Sequence, residues 1–174
     1  IPDLLGFGFS PRCATNEYNP SKIISYLIDL LKTLQITENL KIVGASMGGS
    51  TALKLAFEIP DSIEKMILLS PAGLFGKPKS IPFPLNQIGA SFLGLQQVRK
   101  SLCRQAFAFP NECVGEMEEQ IASIHLGCSG WRDSLASFAK SGGFAGTQKY
   151  IQNIPIKAVC GENDRILGKK EIKN

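Results

Sequence analysis

One turn limits what this chain can fold into. Leu40-Lys41-Ile42-Val43 is a short apolar run that breaks into Gly44-Ala45-Ser46-Met47-Gly48 and continues into the helix-forming stretch Ser50 to Glu58, closed by Pro60. Strand, Gly-x-Ser-x-Gly turn and helix, in that order, describe a nucleophile elbow, a sharp bend that lifts a serine hydroxyl out of the top of a parallel sheet. Such a bend demands residues without bulk, which Gly44 and Gly48 supply. It also sets Ser46 at a helix start, where free backbone N–H groups and the positive dipole end favour a developing anion. The plainer reading is a Gly-rich strand-to-helix turn with an incidental serine.

The rest of the chain is consistent with an α/β domain. Leu40–Val43, Met66–Leu69 and Ile156–Cys160 are short apolar runs bounded by turn residues. Apolar strands alternating with helices predict a parallel sheet covered on both sides. Ile1–Leu4 reads as the tail of another strand. Asn19-Pro20 is a helix start, and Ile23, Ile24, Leu27, Ile28, Leu31 and Leu34 follow at helical spacing. About 85 residues separate Ser70 from Pro155, far more than one crossover needs. Within them Asn86–Phe107, Asn111–Leu126 and Trp131–Ser141 read as helical, which predicts a helical insertion over 77–152.

Composition excludes several classes. With 174 residues, 44% hydrophobic and 20% charged, the chain is long enough for a real core and too apolar for disorder. A net charge of +4, scattered along the sequence, gives no basic stripe for nucleic acid. No apolar run reaches the roughly 18 residues of a membrane span. Gly6-Phe7-Gly8 lacks the third glycine and the helix of a dinucleotide fingerprint. One histidine and no ligand cluster argue against a metal site. Five cysteines without a Cys-x-x-Cys predict reduced thiols in a reducing, cytoplasmic compartment.

Four segments together resemble the α/β-hydrolase superfamily. Asp3-Leu4-Leu5-Gly6-Phe7-Gly8-Phe9-Ser10 is similar to the strand-4 exit loop D-x-x-G-x-G-x-S. Val43 to Gly49 is similar to the elbow. Lys65 to Gly73 sits where strand 6 precedes the cap, and Gly161-Glu162-Asn163-Asp164 is similar to the strand-7 loop that carries the triad acid. The resemblance looks nearest to capped, cofactor-free serine hydrolases of the meta-cleavage-product and pheophytinase-like kind. It implies a partial hydrolase core over 1–76 and 153–174, a helical cap over 77–152, and an internal fragment lacking strands 1–3 and the segment with the triad histidine.

By that resemblance Ser46 is the nucleophile, Asp164 orients the histidine, and the Met47 backbone N–H is one oxyanion donor. Asp164 has a second reading as a turn residue capping the segment at 166–168, and Glu162 competes as the acid. Phe7 and Phe9 either line a substrate pocket or pack structurally. His125, the sole histidine, lies in a cap helix and reads better as a packed residue than as the base. The expected parent is a hydrolase acting on an ester, thioester or carbonyl-activated C–C bond of a fairly apolar small molecule, without cofactor. The alternatives are a hydrolase-fold binding or scaffold protein, and a lyase or acyltransferase on the same triad.

Overall fold

The computed structural model describes residues 1–12, 17–151 and 153–164. The chain divides into two compact units. One is built on a sheet and contains Pro20–Pro78 and Gly143–Glu162. The other is helical and contains Ile1–Asn19, Lys79–Gly142 and the segment that begins at Asn163.

The sheet unit holds three parallel strands in the order β1 (Leu40–Ala45), β2 (Ile63–Leu69) and β3 (Ile156–Val159). Val43 pairs with Ile67 and Ala45 with Leu69, and Leu69 pairs in turn with Val159. Helix α1 (Pro20–Thr33) opens at the expected proline, and Ile23 and Ile24 are its buried face. Helix α2 (Met47–Glu58) begins directly after Ser46. Every residue from Gly49 to Ala56 is buried, so this helix is central to its unit rather than amphipathic at a surface.

The period of two along each strand decides the core. Met66 and Leu68 turn inward and join Ile63 with Ala52, Leu53 and Ala56 of α2; Leu40, Ile42 and Ile156 pack against that cluster. Alternate residues Val43, Ile67, Leu69 and Val159 are exposed. Among the described residues the sheet therefore has one face covered by helix and one face apolar and open. Lys54 reaches the core by its alkyl stem, with its ammonium 3.5 Å from Glu58 and 4.9 Å from the Tyr150 ring centroid.

In the helical unit, α3 (Leu85–Leu93) ends at Gly94, which divides the expected run of 86–107 into α3 and α4 (Gln96–Gln105). The run 111–126 likewise resolves into α5 (Pro110–Cys113), α6 (Glu116–Ile121) and a 3₁₀ turn at Ile124–Gly127. Gly115 starts α6, and its N–H donates to Glu118 Oε2 at 2.8 Å. Helix α7 (Trp131–Ser141) lies between Gly130 and Gly142, both left-handed, at the bounds the sequence predicts. It packs against α3, where the buried Asn86 Nδ2 donates to Ala136 O at 3.1 Å.

Residues 1–4 form no strand, contrary to the reading of Ile1–Leu4 as a strand tail. Asp3 and the Leu4 carbonyl are instead tied to the loop that follows. The Phe9 N–H donates to Asp3 Oδ2 at 2.9 Å, and Ser10 Oγ donates to the Asp3 carbonyl. The loop is then fastened to α7: Ser134 Oγ donates to Gly6 O at 2.9 Å, and the Tyr18 N–H donates to Ser137 Oγ at 3.2 Å.

Candidate active site

Ser46 sits between the last residue of β1 and the first of α2, with φ 49° and ψ −120°. This is strained backbone for a residue with a Cβ, and it persists only where surroundings over-determine it. They do so here. The Ser46 N–H donates to Leu69 O at 2.9 Å, while its carbonyl accepts from Gly49 N–H at 2.9 Å and Ala72 N–H at 3.0 Å. Both polar backbone groups of the bend are thus locked to β2, to its exit loop and to the first turn of α2.

The glycines divide their work differently from the motif's letter. A Cβ on Gly44 would lie 2.5 Å from the Gly48 carbonyl oxygen, so the chain folds back on itself there. A Cβ on Gly48 would meet nothing within 4 Å; the second close approach belongs to Gly49, whose Cβ would fall 2.6 Å from that of Pro71. Gly48 thus has no steric role at this bend, and Gly49 holds the approach of α2 to the β2 exit loop.

A buried polar network braces that loop. Ser50 Oγ donates to Ala72 O and lies 3.3 Å from Thr147 Oγ1, which donates to Gly73 O at 3.0 Å. Ser50 and Thr147 are almost fully buried. Sequence reading missed both, since Ser50 looks like an ordinary helix residue and Thr147 is 97 positions away.

Serine is a favoured helix N-cap because its oxygen accepts a first-turn N–H. Ser46 occupies the N-cap of α2 yet makes no side-chain capping bond, and the residue is exposed. Its hydroxyl is therefore not spent on the cap, at a helix start whose first-turn N–H groups, that of Met47 among them, have no partner within the helix and no acidic neighbour in the first turn. That arrangement suits a nucleophile whose product is an oxyanion.

Other sequence-derived candidates are placed as follows. Asp164 is half-buried, beyond the end of β3, in the segment grouped with the helical unit. The segment it was read as capping, 166–168, lies outside the described residues. Phe7 packs edge-on against Phe138 with centroids 5.2 Å apart, and Phe9 is exposed. His125 occupies the 3₁₀ turn after α6; its Nε2 lies 3.2 Å from Arg99 Nη2. Burial holds this imidazole below its ordinary pKa, and the Arg99 and Arg12 cations add to that effect. No group of three or more His, Cys, Asp or Glu positioned for a metal occurs among the described residues, and no described helix is long and apolar enough to cross a membrane.

A family model described as "alpha/beta hydrolase fold" matches residues 1–113. The chain is 27% identical to a 2-hydroxymuconate semialdehyde hydrolase of Pseudomonas sp. (strain CF600), over 95% of this chain and 59% of the relative. It is also 27% identical to an alpha/beta hydrolase domain-containing protein of Arabidopsis thaliana, over 95% of this chain and 51% of that protein. The chain thus spans between half and three-fifths of these relatives' length. Among solved structures it is similar to an epoxide hydrolase (TM-score 0.73, 19% identity, 93% of this chain and 64% of that one). A meta-cleavage product hydrolase from Pseudomonas fluorescens IP01 also matches (TM-score 0.68, 21% identity, 92% and 59%). At these identities the structures speak for the fold alone.

Proposed function

Because the chain belongs to the α/β-hydrolase family, we propose that Ser46 is the nucleophile of a serine hydrolase acting on an ester, thioester or carbonyl-activated C–C bond in a fairly apolar small molecule. The observation that carries this reading is the strained, exposed Ser46, which withholds its hydroxyl from the capping role its position offers. A relative named as a 2-hydroxymuconate semialdehyde hydrolase supports hydrolase chemistry within that range.

In this reading the Ser46 hydroxyl gives its proton to a histidine outside this chain as its oxygen attacks the substrate carbonyl. The tetrahedral oxyanion accepts the Met47 N–H at the start of α2; losing one such donor typically costs ~10²–10³ in rate. Asp164 accepts the imidazole N–H, fixes its tautomer and stabilises the imidazolium. The leaving group takes the proton, and water, activated by the same base, hydrolyses the acyl-enzyme. No cofactor enters. Residues 77–152 serve as a cap inserted into a core of 1–76 and 153–174, with Phe7 and Phe9 as pocket lining. Free thiols at Cys103, Cys113, Cys128 and Cys160 accord with a reducing, cytoplasmic setting.

The test is covalent labelling of the intact protein with a fluorophosphonate. The wild type labels at Ser46, and Ser46→Ala abolishes the adduct. Undiminished labelling of Ser46→Ala, or no labelling of a folded wild type, would defeat the assignment.

A further inference from the structure

Two neighbouring strands end in the same unusual backbone. Ser46 follows β1 with φ 49°, and Ser70 follows β2 with φ 41°. Ala45 and Leu69, which precede them, are paired in register, so the two bends lie side by side. Left-handed backbone is unfavourable for a residue with a Cβ and persists only where its surroundings hold it. Ser70 is tied by its N–H to Val159 O at 2.8 Å, and Ser46 by its carbonyl to Ala72 N–H at 3.0 Å. What holds Ser46 therefore depends on what holds the loop at 70–73.

That loop is gripped by a stretch distant in sequence. The chain leaves the sheet unit after Pro78 and re-enters it at Gly143, and within that unit the outgoing and returning segments run together. The Thr147 N–H and Thr147 Oγ1 both donate to Gly73 O, at 3.1 and 3.0 Å. Gln148 N–H donates to Leu74 O at 3.0 Å, and Gly146 N–H to Phe75 O at 3.3 Å. Glycine permits the approach at both ends: a Cβ on Gly73 would collide with the Phe144 carbonyl oxygen, and one on Gly146 would lie 2.7 Å from Gly76 O. Thr147 adds a side chain to this clasp and is only 1% exposed. Its Oγ1 also lies 3.3 Å from Ser50 Oγ, which donates to Ala72 O. The family match ends at residue 113, well before Thr147.

We propose that Thr147 is a positioning residue for the Ser46 reaction, an inference that rests on Ser46 being the nucleophile. The path is short. The Thr147 hydroxyl fixes the Gly73 carbonyl, the adjoining Ala72 N–H fixes the Ser46 carbonyl, and two left-handed residues are kept from relaxing. The clasp between 73–75 and 146–148 thereby sets how well the Ser46 hydroxyl is aimed. Thr147 touches no reacting atom and acts through the backbone of the β2 exit loop.

The experiment measures fluorophosphonate labelling of the intact protein over a range of probe concentrations, separating the maximal rate from the half-saturating concentration. Thr147→Val keeps the shape and removes the donor. Its maximal rate should fall between about tenfold and 10²-fold, since small displacements far from the reacting atoms cost that much, with the half-saturating concentration unchanged. Thr147→Ser keeps the hydroxyl and should label within about twofold of wild type. Ile63→Val, which thins the core away from this loop, should lower the urea midpoint without slowing labelling. If Thr147→Val loses its circular dichroism, Thr147→Ala replaces it, with the same loss expected. A folded Val or Ala variant that labels at the wild-type rate, a loss confined to the half-saturating concentration, or Thr147→Ser as slow as Thr147→Val would each overturn the role of Thr147 while leaving Ser46 as nucleophile. A folded wild type that does not label, or labels undiminished as Ser46→Ala, would overturn both.

Discussion

The bend at Ser46 is enforced by two glycines whose weights differ. A methyl on Gly44 must displace backbone at 2.5 Å, and one on Gly49 must displace Pro71 at 2.6 Å, whereas one on Gly48 enters open space. Gly44→Ala and Gly49→Ala should each destabilise the fold by about 1–3 kcal/mol through overpacking. Gly48→Ala should be neutral or stabilising by up to about 1 kcal/mol, as expected for alanine replacing glycine in a helix. Urea denaturation of the three variants checks the order, and a Gly48→Ala variant as damaged as Gly44→Ala would refute it. His125 gives a pH prediction at the same scale. Its folded pKa is depressed, by burial first and by Arg99 next, so below about pH 6.5 the unfolded chain takes up this proton before the folded one. Stability tied to His125 is therefore complete above pH 6.5 and declines as pH falls toward the folded value. Thermal melts between pH 7 and pH 5 should show a shallower decline in His125→Gln than in the wild type. Parallel declines would remove His125 as the cause.

Elements supply what single residues lack. The loop leaving β2 stays in place because α2 contributes Ser50 and the turn before β3 contributes Thr147, and together these occupy the Ala72 and Gly73 carbonyls. Ser50→Ala leaves a buried carbonyl short of its donor and should cost about 1–3 kcal/mol. It should also slow fluorophosphonate labelling, since Ala72 N–H is one of the bonds holding the Ser46 carbonyl. A loss of stability without any change in labelling rate would confine the network to a structural role. The sequence carried the elements and missed the network, for one physical reason. Period and punctuation are local signals: Asn19-Pro20 announces α1, and the glycines flanking Trp131–Ser141 announce α7 at its observed bounds. The Gly-x-Ser-x-Gly turn was legible because strand, bend and helix are contiguous. The pairing of Ser50 with Thr147, and of Arg99 with His125, depends on how distant elements pack, and nothing in either segment's pattern encodes its partner. Ile1–Leu4 misled for the converse reason: its apolar letters suit a strand, but Asp3 binds the following loop through both carboxylate and carbonyl.

Over the whole molecule, the sheet unit leaves a surface that an isolated globular chain rarely presents. Val43 is 65% exposed, Val159 46%, Leu69 39% and Ile67 38%, and the pairing register puts them side by side on one face. Strand β1 pairs with β2 alone, so its outer edge carries unpaired backbone groups among the described residues. An apolar face ending at an open strand edge is a template for association. The 174-residue chain by itself should therefore bind a hydrophobic dye such as 1-anilinonaphthalene-8-sulfonate and self-associate as its concentration rises. Lys41, Lys65 and Lys157 alternate with the apolar residues on that face and are exposed. Carboxylates introduced among them gain opposite-charge neighbours, worth roughly 0.2–1 kcal/mol per pair. The double variant Val43→Glu, Val159→Glu should then lower dye binding and shift sedimentation toward monomer while leaving the α2 side of the core intact, because neither residue contributes to it. A wild-type chain that stays monomeric and dye-free at high concentration would refute association through this face.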